Sequence, residues 1–206
     1  MRVATSPIPV LAPVSPSPWE LADNGLSVFY GRPETPRLFH YFLPRAILRG
    51  KLILVLDGGN RFDPLLIARF ARQRNLDSSK FGQHIRIARA FTCFQLTELL
   101  VRLPRLLRTF PAQVVIVTAF PDLYFDEDIR EREALTSFQR GLRALKTAEV
   151  PVAIFSNATS FKSSRRVMFQ TLVAQANQVL RFSANESTGL ALTREKFDPT
   201  ILRALP

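Results

Sequence analysis

The sequence predicts an α/β protein of one domain, in which a mainly parallel β-sheet is flanked by helices. Short apolar runs alternate along the chain with longer amphipathic stretches, which is the pattern of repeated strand, helix and strand units. The apolar runs are nearly continuous, as in strands that a parallel sheet buries on both faces. The chain has 206 residues, 47% of them hydrophobic, which suffices for one large α/β core.

Five strands are predicted, and each is rich in branched apolar residues: 25–30, 51–57, 84–90, 113–120 and 150–156. Three longer helices are predicted between them: 63–75, 94–108 and 129–146. Asp63 is the expected N-cap of the first of these, with Pro64 at its first helical position. A shorter helix near residues 39–42 is expected to kink or end at Pro44. In the C-terminal tail, residues 185–189 form a candidate hairpin that ends near Thr193, with no role assigned.

Residues 1–18 are rich in proline and serine, so we predict a flexible N-terminal segment there and a core domain over residues 19–206. The prolines and the single arginine near Met1 argue against a signal peptide, and no apolar run approaches the roughly 20 residues that cross a bilayer. We therefore expect a soluble, cytoplasmic protein without a membrane partner. The single cysteine, Cys93, excludes an intramolecular disulfide, and the separated histidines His40 and His84 predict no metal site.

Residues 31–38 lie where a phosphate-binding loop of the form G-x-x-x-x-G-K-[ST] would follow a strand. Gly31 occupies the first glycine position, but Pro36 replaces the second glycine, and Arg37 replaces the lysine. Leu38 stands where a hydroxyl would hold magnesium. Proline removes a backbone N–H from the loop, and leucine offers no oxygen to a hard cation. The alternative interpretation is an ordinary turn unrelated to phosphate binding.

The order of the later strands resembles the RecA/RadA-type recombinase ATPase core, most closely its archaeal and eukaryotic branch. Residues 54–57, with Phe62 and Pro64, lie where that family has D-T-E-G-T-F-x-P, and residues 87–92 read I-A-R-A-F-T where it often has V-A-R-A-F-T. Residues 114–118 match its L-L-I-V-D strand, and residues 152–157 match its strand ending in T-N-Q. The resemblance spans about residues 25–182 and implies a RecA-like P-loop NTPase-type fold.

The resemblance also implies that the ATPase machinery has been lost. The family's catalytic glutamate falls on Gly59, its Walker B aspartate on Thr118, and its γ-phosphate-sensing glutamine on Ala158. Phosphoryl transfer depends on positioning and on charge stabilisation by such groups, so we expect a pseudo-ATPase with no catalytic residues and no cofactor. Gly31, Arg37 and Asp57 remain as a degenerate nucleotide site. Arg37 could still donate to a phosphate, or it could be a solvated helix residue, and Asp57 could simply cap a turn.

The formal net charge of +11 and the pI of 10.9 favour a polyanionic partner. Most of the basic residues are arginines, which suit phosphate groups and can stack on bases. A biased genome or a thermophilic habit would produce the same composition without any such partner.

Two segments are candidate nucleic-acid contacts at the positions of the family's DNA-binding loops. In the second loop, Lys162, Arg165 and Arg166 could follow phosphates while Phe161 stacks on a base, although an ordinary basic helix start would look the same. In the first loop only Arg130 and Arg132 are available. Six acidic residues crowd that loop and would repel phosphates: Asp122, Asp126, Glu127, Asp128, Glu131 and Glu133.

Two groups of arginines are typical of solvated helix surfaces, and we predict no binding site from either of them. Arg102, Arg105 and Arg108 recur at a spacing of three, as on the wet side of an amphipathic helix. Arg69, Arg72 and Arg74 lie near the end of another helix, where cations suit the helix dipole.

Three functions follow. The first is a non-catalytic accessory factor in recombination or repair that binds single-stranded DNA or a recombinase filament. In this case the chain could also form homo-oligomers, or hetero-oligomers with RecA-like proteins. The second is a RecA-like protein-interaction module that regulates a partner and does not bind DNA; there the rings of Phe39, Tyr41 and Phe42 would cover the vacated nucleotide site. The third is an ATPase with an unorthodox loop, which is disfavoured by Pro36, Leu38, Gly59, Thr118 and Ala158.

Overall fold

The computed structural model describes residues 25–157, 166–184 and 190–197. Its centre is a seven-stranded sheet in the order β3-β2-β4-β5-β1-β6-β7. The strands are β1 (Leu26–Tyr30), β2 (Ile53–Gly58), β3 (Ile85–Ala90), β4 (Val114–Thr118), β5 (Val152–Phe155), β6 (Gln178–Ser183) and β7 (Ala191–Phe197). Strands β1 to β6 run parallel, and β7 runs antiparallel to β6. The predicted α/β class with a mainly parallel sheet is confirmed.

All five predicted strands are present, with ends shifted by at most two residues. Strands β2, β4 and β5 are buried along their whole length, which explains their continuous apolar sequences. Strand β6 was not predicted. Its antiparallel pairing with β7 agrees with the C-terminal hairpin, although β7 continues past Thr193 to Phe197, and the turn at 185–189 lies outside the described residues.

The described helices are α1 (Thr35–Leu38), α2 (Leu43–Leu48), α3 (Pro64–Gln73), α4 (Ser78–Gln83), α5 (Cys93–Val101), α6 (Leu103–Thr109), α7 (Glu131–Lys146) and α8 (Arg166–Gln175). Asp63 caps α3 as predicted, accepting a hydrogen bond from the Leu65 N–H at 2.8 Å. Helix α4 was missed; its N-cap is Asp77, whose carboxylate accepts from the Ser79 N–H at 2.9 Å.

The prediction of one helix over 94–108 is wrong. The chain breaks at Arg102 into α5 and α6, and Pro104 stands in the first turn of α6. A proline inside one long helix would clash with the preceding turn and remove a hydrogen bond, whereas the first turn of a new helix tolerates it. Pro44 likewise stands in the first turn of a helix, α2, and does not end one.

The helices form two layers, one on each face of the sheet. Helices α5 to α8 pack on one face, on β-strand residues such as Leu54 and Val115. Helices α1 to α4 pack on the other, on Ile53, Val55 and an aromatic cluster in which the Phe29 and Phe155 rings stack with centroids 4.5 Å apart. Within the described residues, we find no helix with the length and apolarity to span a bilayer.

Candidate functional site

The predicted nucleotide-site residues lie at the carboxyl edge of the parallel sheet, where open α/β sheets usually bind ligands. Gly31 follows β1, and Asp57 lies near the end of β2. Strands β4 and β5 separate these two strands, so the positions are about 14 Å apart at normal strand spacing. Arg37 lies on the exposed side of α1. The three residues thus share an edge of the sheet without forming one contact cluster.

Gly31 is required for packing between strands. Its φ of +116° suits glycine, and a Cβ at this position would overlap the carbonyl oxygen of Phe182 on β6. Phosphate contact is not needed to explain this glycine.

The turn after Gly31 uses its own N–H groups. The Arg32 N–H donates to the Thr35 hydroxyl at 3.0 Å, and the Thr35 N–H donates to the Arg32 carbonyl at 3.0 Å. The Arg37 N–H donates to the Glu34 carbonyl at 2.8 Å. Pro36, which is buried, has no N–H to offer. A phosphate-binding loop needs such groups to point at the ligand, and here three of them bond within the turn.

The segment that follows contains no sustained helix. Helix α1 has four residues and passes through a 3₁₀ turn at Phe39–Tyr41 into α2. Leu38 packs against the aromatic core. Phe39 and Phe42 are buried in that core, and Tyr41 packs edge-on against Phe70. The expectation that the rings of Phe39, Tyr41 and Phe42 cover a vacated nucleotide site stays a prediction.

Asp57 closes the connection between β2 and α3. Its Oδ1 accepts from the Arg61 N–H at 2.7 Å, and its Oδ2 accepts from the Phe62 N–H at 3.0 Å. The Arg89 guanidinium on β3 lies 3.7 Å from Oδ2. The carboxylate is fully buried, so these donors compensate for the water that it has lost. The structure places Asp57 in a turn-capping role.

The positions at which the recombinase family has catalytic residues also have structural partners in this chain. Thr118 is buried, and its hydroxyl lies 3.2 Å from Asp57 Oδ1 and 3.0 Å from the Gly58 carbonyl. Gly59 adopts a φ of +74° and donates its N–H to the Ala90 carbonyl at 2.9 Å. Ala158 lies outside the described residues.

Asp122 links the ends of β4 and β5, a role that its sequence context did not reveal. Its two carboxylate oxygens accept from the Ser156 hydroxyl at 2.6 Å and from the Asn157 N–H at 2.7 Å. Burial raises the pKa of Asp122 to about 6, although these hydrogen bonds and the charge of Arg61 oppose the change. Asp122 therefore does not belong with the exposed acidic residues of the predicted first DNA loop.

His40 is a second missed residue. It is buried, and its Nδ1 lies 2.7 Å from the Arg37 carbonyl, while its Nε2 accepts from the Asp63 N–H at 2.9 Å. These contacts join the turn after α1 to the start of α3. Burial lowers the pKa of His40, which favours the neutral ring that this arrangement requires. A lone histidine on an apolar background gave no signal of this bridging role.

The predicted nucleic-acid residues are only partly described. Phe161, Lys162 and Arg165 lie outside the described residues, and Arg166 is exposed at the first position of α8. In the other predicted loop, Arg130 and Arg132 are exposed at the start of α7, and Arg130 Nη1 lies 3.9 Å from Glu133 Oε1. The structure does not join these arginines into one site.

No metal centre is formed by the residues that the structure covers, since no three His, Cys, Asp or Glu side chains are grouped to hold an ion. Comparison with protein-family models gives no match, and comparison with curated protein sequences gives none either.

Proposed function

We propose that this protein is a RecA/RadA-like pseudo-ATPase that acts as a DNA-binding accessory factor in recombination or repair. The turn at residues 31–38 carries the proposal: its N–H groups at Arg32, Thr35 and Arg37 bond inside the turn instead of facing a ligand. Two further features support it. The four strands that resemble the recombinase core, β2, β3, β4 and β5, are parallel members of one sheet. The carboxylate of Asp57 accepts hydrogen bonds from its own loop.

If the chain does not bind nucleotide, its function depends on the surfaces of the fold. The net charge of +11 favours a polyanion as the partner of those surfaces. Lys162, Arg165 and Arg166 are the residues proposed from the sequence to contact single-stranded DNA, together with Phe161, and Arg130 and Arg132 are weaker candidates because of their acidic neighbours.

The decisive experiment pairs calorimetry with oligonucleotide binding. Titration with ATP and magnesium should give no measurable heat of binding, because three N–H groups of the turn bond inside it and Leu38 stands where the magnesium ligand would be. A labelled single strand should bind in a salt-dependent manner. The variant K162A/R165A/R166A should bind more weakly, with the slope of log K against log salt reduced by about 2, since each phosphate contact on a single strand contributes about 0.7.

A matched control removes the same charges from another surface. The variant R140A/R143A/K146A on α7 also loses two arginines and one lysine, and it should bind the oligonucleotide like the unmodified chain. Micromolar affinity for magnesium-bound ATP would contradict the pseudo-ATPase assignment, and failure of the unmodified chain to bind any single strand would contradict the DNA-binding role.

One observation favours the protein-interaction alternative. Phe91 and Phe94 follow the edge strand β3, and their side chains are 62% and 45% exposed. Exposed aromatic residues are typical of protein contacts. Absence of DNA binding, together with self-association that F91A/F94A abolishes, would favour this alternative.

A further inference from the structure

The two helical layers differ sharply in charge. Residues 31–92, which include α1 to α4, contain twelve basic and four acidic residues, of which Arg86 on β3 lies over the Phe110 ring in the other layer. Residues 93–149 and 166–175, which include α5 to α8, contain nine basic and eight acidic residues. The two groups of helices lie on opposite faces of the sheet. A compositional bias of the genome would charge both layers alike, so the segregation argues for a surface that binds a polyanion.

The four acidic residues of the basic layer have local structural roles. Glu34 pairs with Arg32 at 3.1 Å, and Asp57 is buried in its loop. Asp63 and Asp77 are the N-caps of α3 and α4. Among the described residues, no carboxylate lies within ion-pair distance of Arg69, Arg72 or Arg74. These three arginines are exposed on or just after α3.

Aromatic residues neighbour these cations along the chain, and two of the rings meet. Helix α3 buries Ile67 and Ala71, which directs Arg69 and Arg72 outward. Phe70, between them in sequence, is half-buried and meets the ring of Tyr41 edge-on at 6.0 Å. Tyr41 follows the exposed Arg37 by four residues through α1 and the 3₁₀ turn. We use the name basic strip for the following six residues: Arg37, Tyr41, Arg69, Phe70, Arg72 and Arg74.

We propose that the basic strip binds single-stranded nucleic acid. Guanidinium groups suit phosphate oxygens, and partly exposed rings offer stacking faces that only unpaired bases can reach. The dipole of α3 accounts for cations at its C-terminal end, but it does not account for the charge of the whole layer. The inference rests on the proposed function, because the ligand is the same. It adds a binding surface on the face of the sheet opposite α8, which contains Arg166.

The test compares two triple variants that lose the same charge. R69A/R72A/R74A removes arginines of the strip, and R102A/R105A/R108A removes three from the opposite layer. We expect the strip variant to bind a labelled oligothymidine at least about tenfold more weakly at 50 mM salt and to lose about 2 units of salt slope. The control variant should stay within about twofold of the unmodified chain. Circular dichroism and thermal unfolding establish that both variants are folded.

A second variant separates stacking from charge. Y41L should weaken binding by about fivefold while leaving the salt slope unchanged, because it removes a ring and no cation. R69K/R72K/R74K should keep the slope, since it keeps the charge.

The outcomes distinguish this inference from the proposed function. If the unmodified chain binds the oligonucleotide and the strip variant binds equally well, the inference is overturned while the proposed function stands on the 161–166 segment. If the unmodified chain binds no oligonucleotide, the proposed function itself fails. A strip variant that loses binding to phosphatidylserine vesicles but keeps its oligonucleotide affinity would overturn the inference in favour of a membrane surface.

Discussion

At the scale of single residues, Gly31 shows how a motif position can be kept for another reason. The sequence suggested the remains of a phosphate loop, and in the structure the glycine allows β1 to approach β6 closely. Asp57 is similar, since it stands at the ligand-binding edge of the sheet yet caps its own loop. Both residues were identified from sequence, but their roles depend on distant neighbours. Gly31 lies against Phe182, more than a hundred residues away, and Asp57 contacts Arg89 on β3 and Thr118 on β4.

Replacing Gly31 with alanine should therefore destabilise the fold. We expect G31A to lose more than about 2 kcal/mol, because the new Cβ meets the backbone of Phe182 and the positive φ is strained. G50A is the matched control, since Gly50 also has a positive φ of +74° but has nothing within 4 Å of its Cβ position; it should lose only about 1 kcal/mol. Urea unfolding measures both, and equal losses would show that packing against β6 does not matter.

At the scale of elements, strands were easier to predict than helix breaks. A buried parallel strand appears as an apolar run in the sequence itself, as β2 and β4 do. Around Pro104 the chain can form either one kinked helix or two separate helices, and packing decides between them. The short helix α4 has too few residues to show a periodic pattern. Local propensity does not decide such cases.

The link from Asp122 to the end of β5 predicts a specific pH dependence. Folding raises the pKa of Asp122 to about 6, so the folded chain binds the proton more tightly than the unfolded chain does. Protonation of Asp122 therefore stabilises the fold. The stabilisation is fully present at a pH below the pKa of the unfolded chain, and it is lost as the pH rises through 6. D122N can keep hydrogen bonds to Ser156 and Asn157 but cannot titrate. We expect its stability, relative to the unmodified chain, to fall by about 1 kcal/mol between pH 7 and pH 4, allowing for partial exposure.

Chemical unfolding at several pH values checks this, and the difference between the two proteins cancels the titration of other groups such as His40. A stability difference that does not change with pH would show that folding leaves the pKa of Asp122 unchanged.

At the scale of the whole molecule, the excess of positive charge lies mainly in one layer. Like charges held together on one face repel one another, and salt screens them over a Debye length of about 10 Å at 0.1 M. We therefore expect stability to rise by about 1 kcal/mol between 20 mM and 300 mM salt. R69A/R72A/R74A should show a smaller rise, and R102A/R105A/R108A should behave like the unmodified chain. Thermal unfolding measures this without any ligand, and a fall in stability with salt would contradict it.

The α/β class, five of the strands and the total charge follow from apolar runs and composition, so the amino-acid order was enough to predict them. Three features became visible only in the folded chain: the N–H groups after Gly31 bond inside their turn, Asp122 joins two strands, and the charge divides unevenly between two faces. Hydrogen-bond partners and surface neighbours depend on how distant segments pack, and a linear pattern does not contain that information.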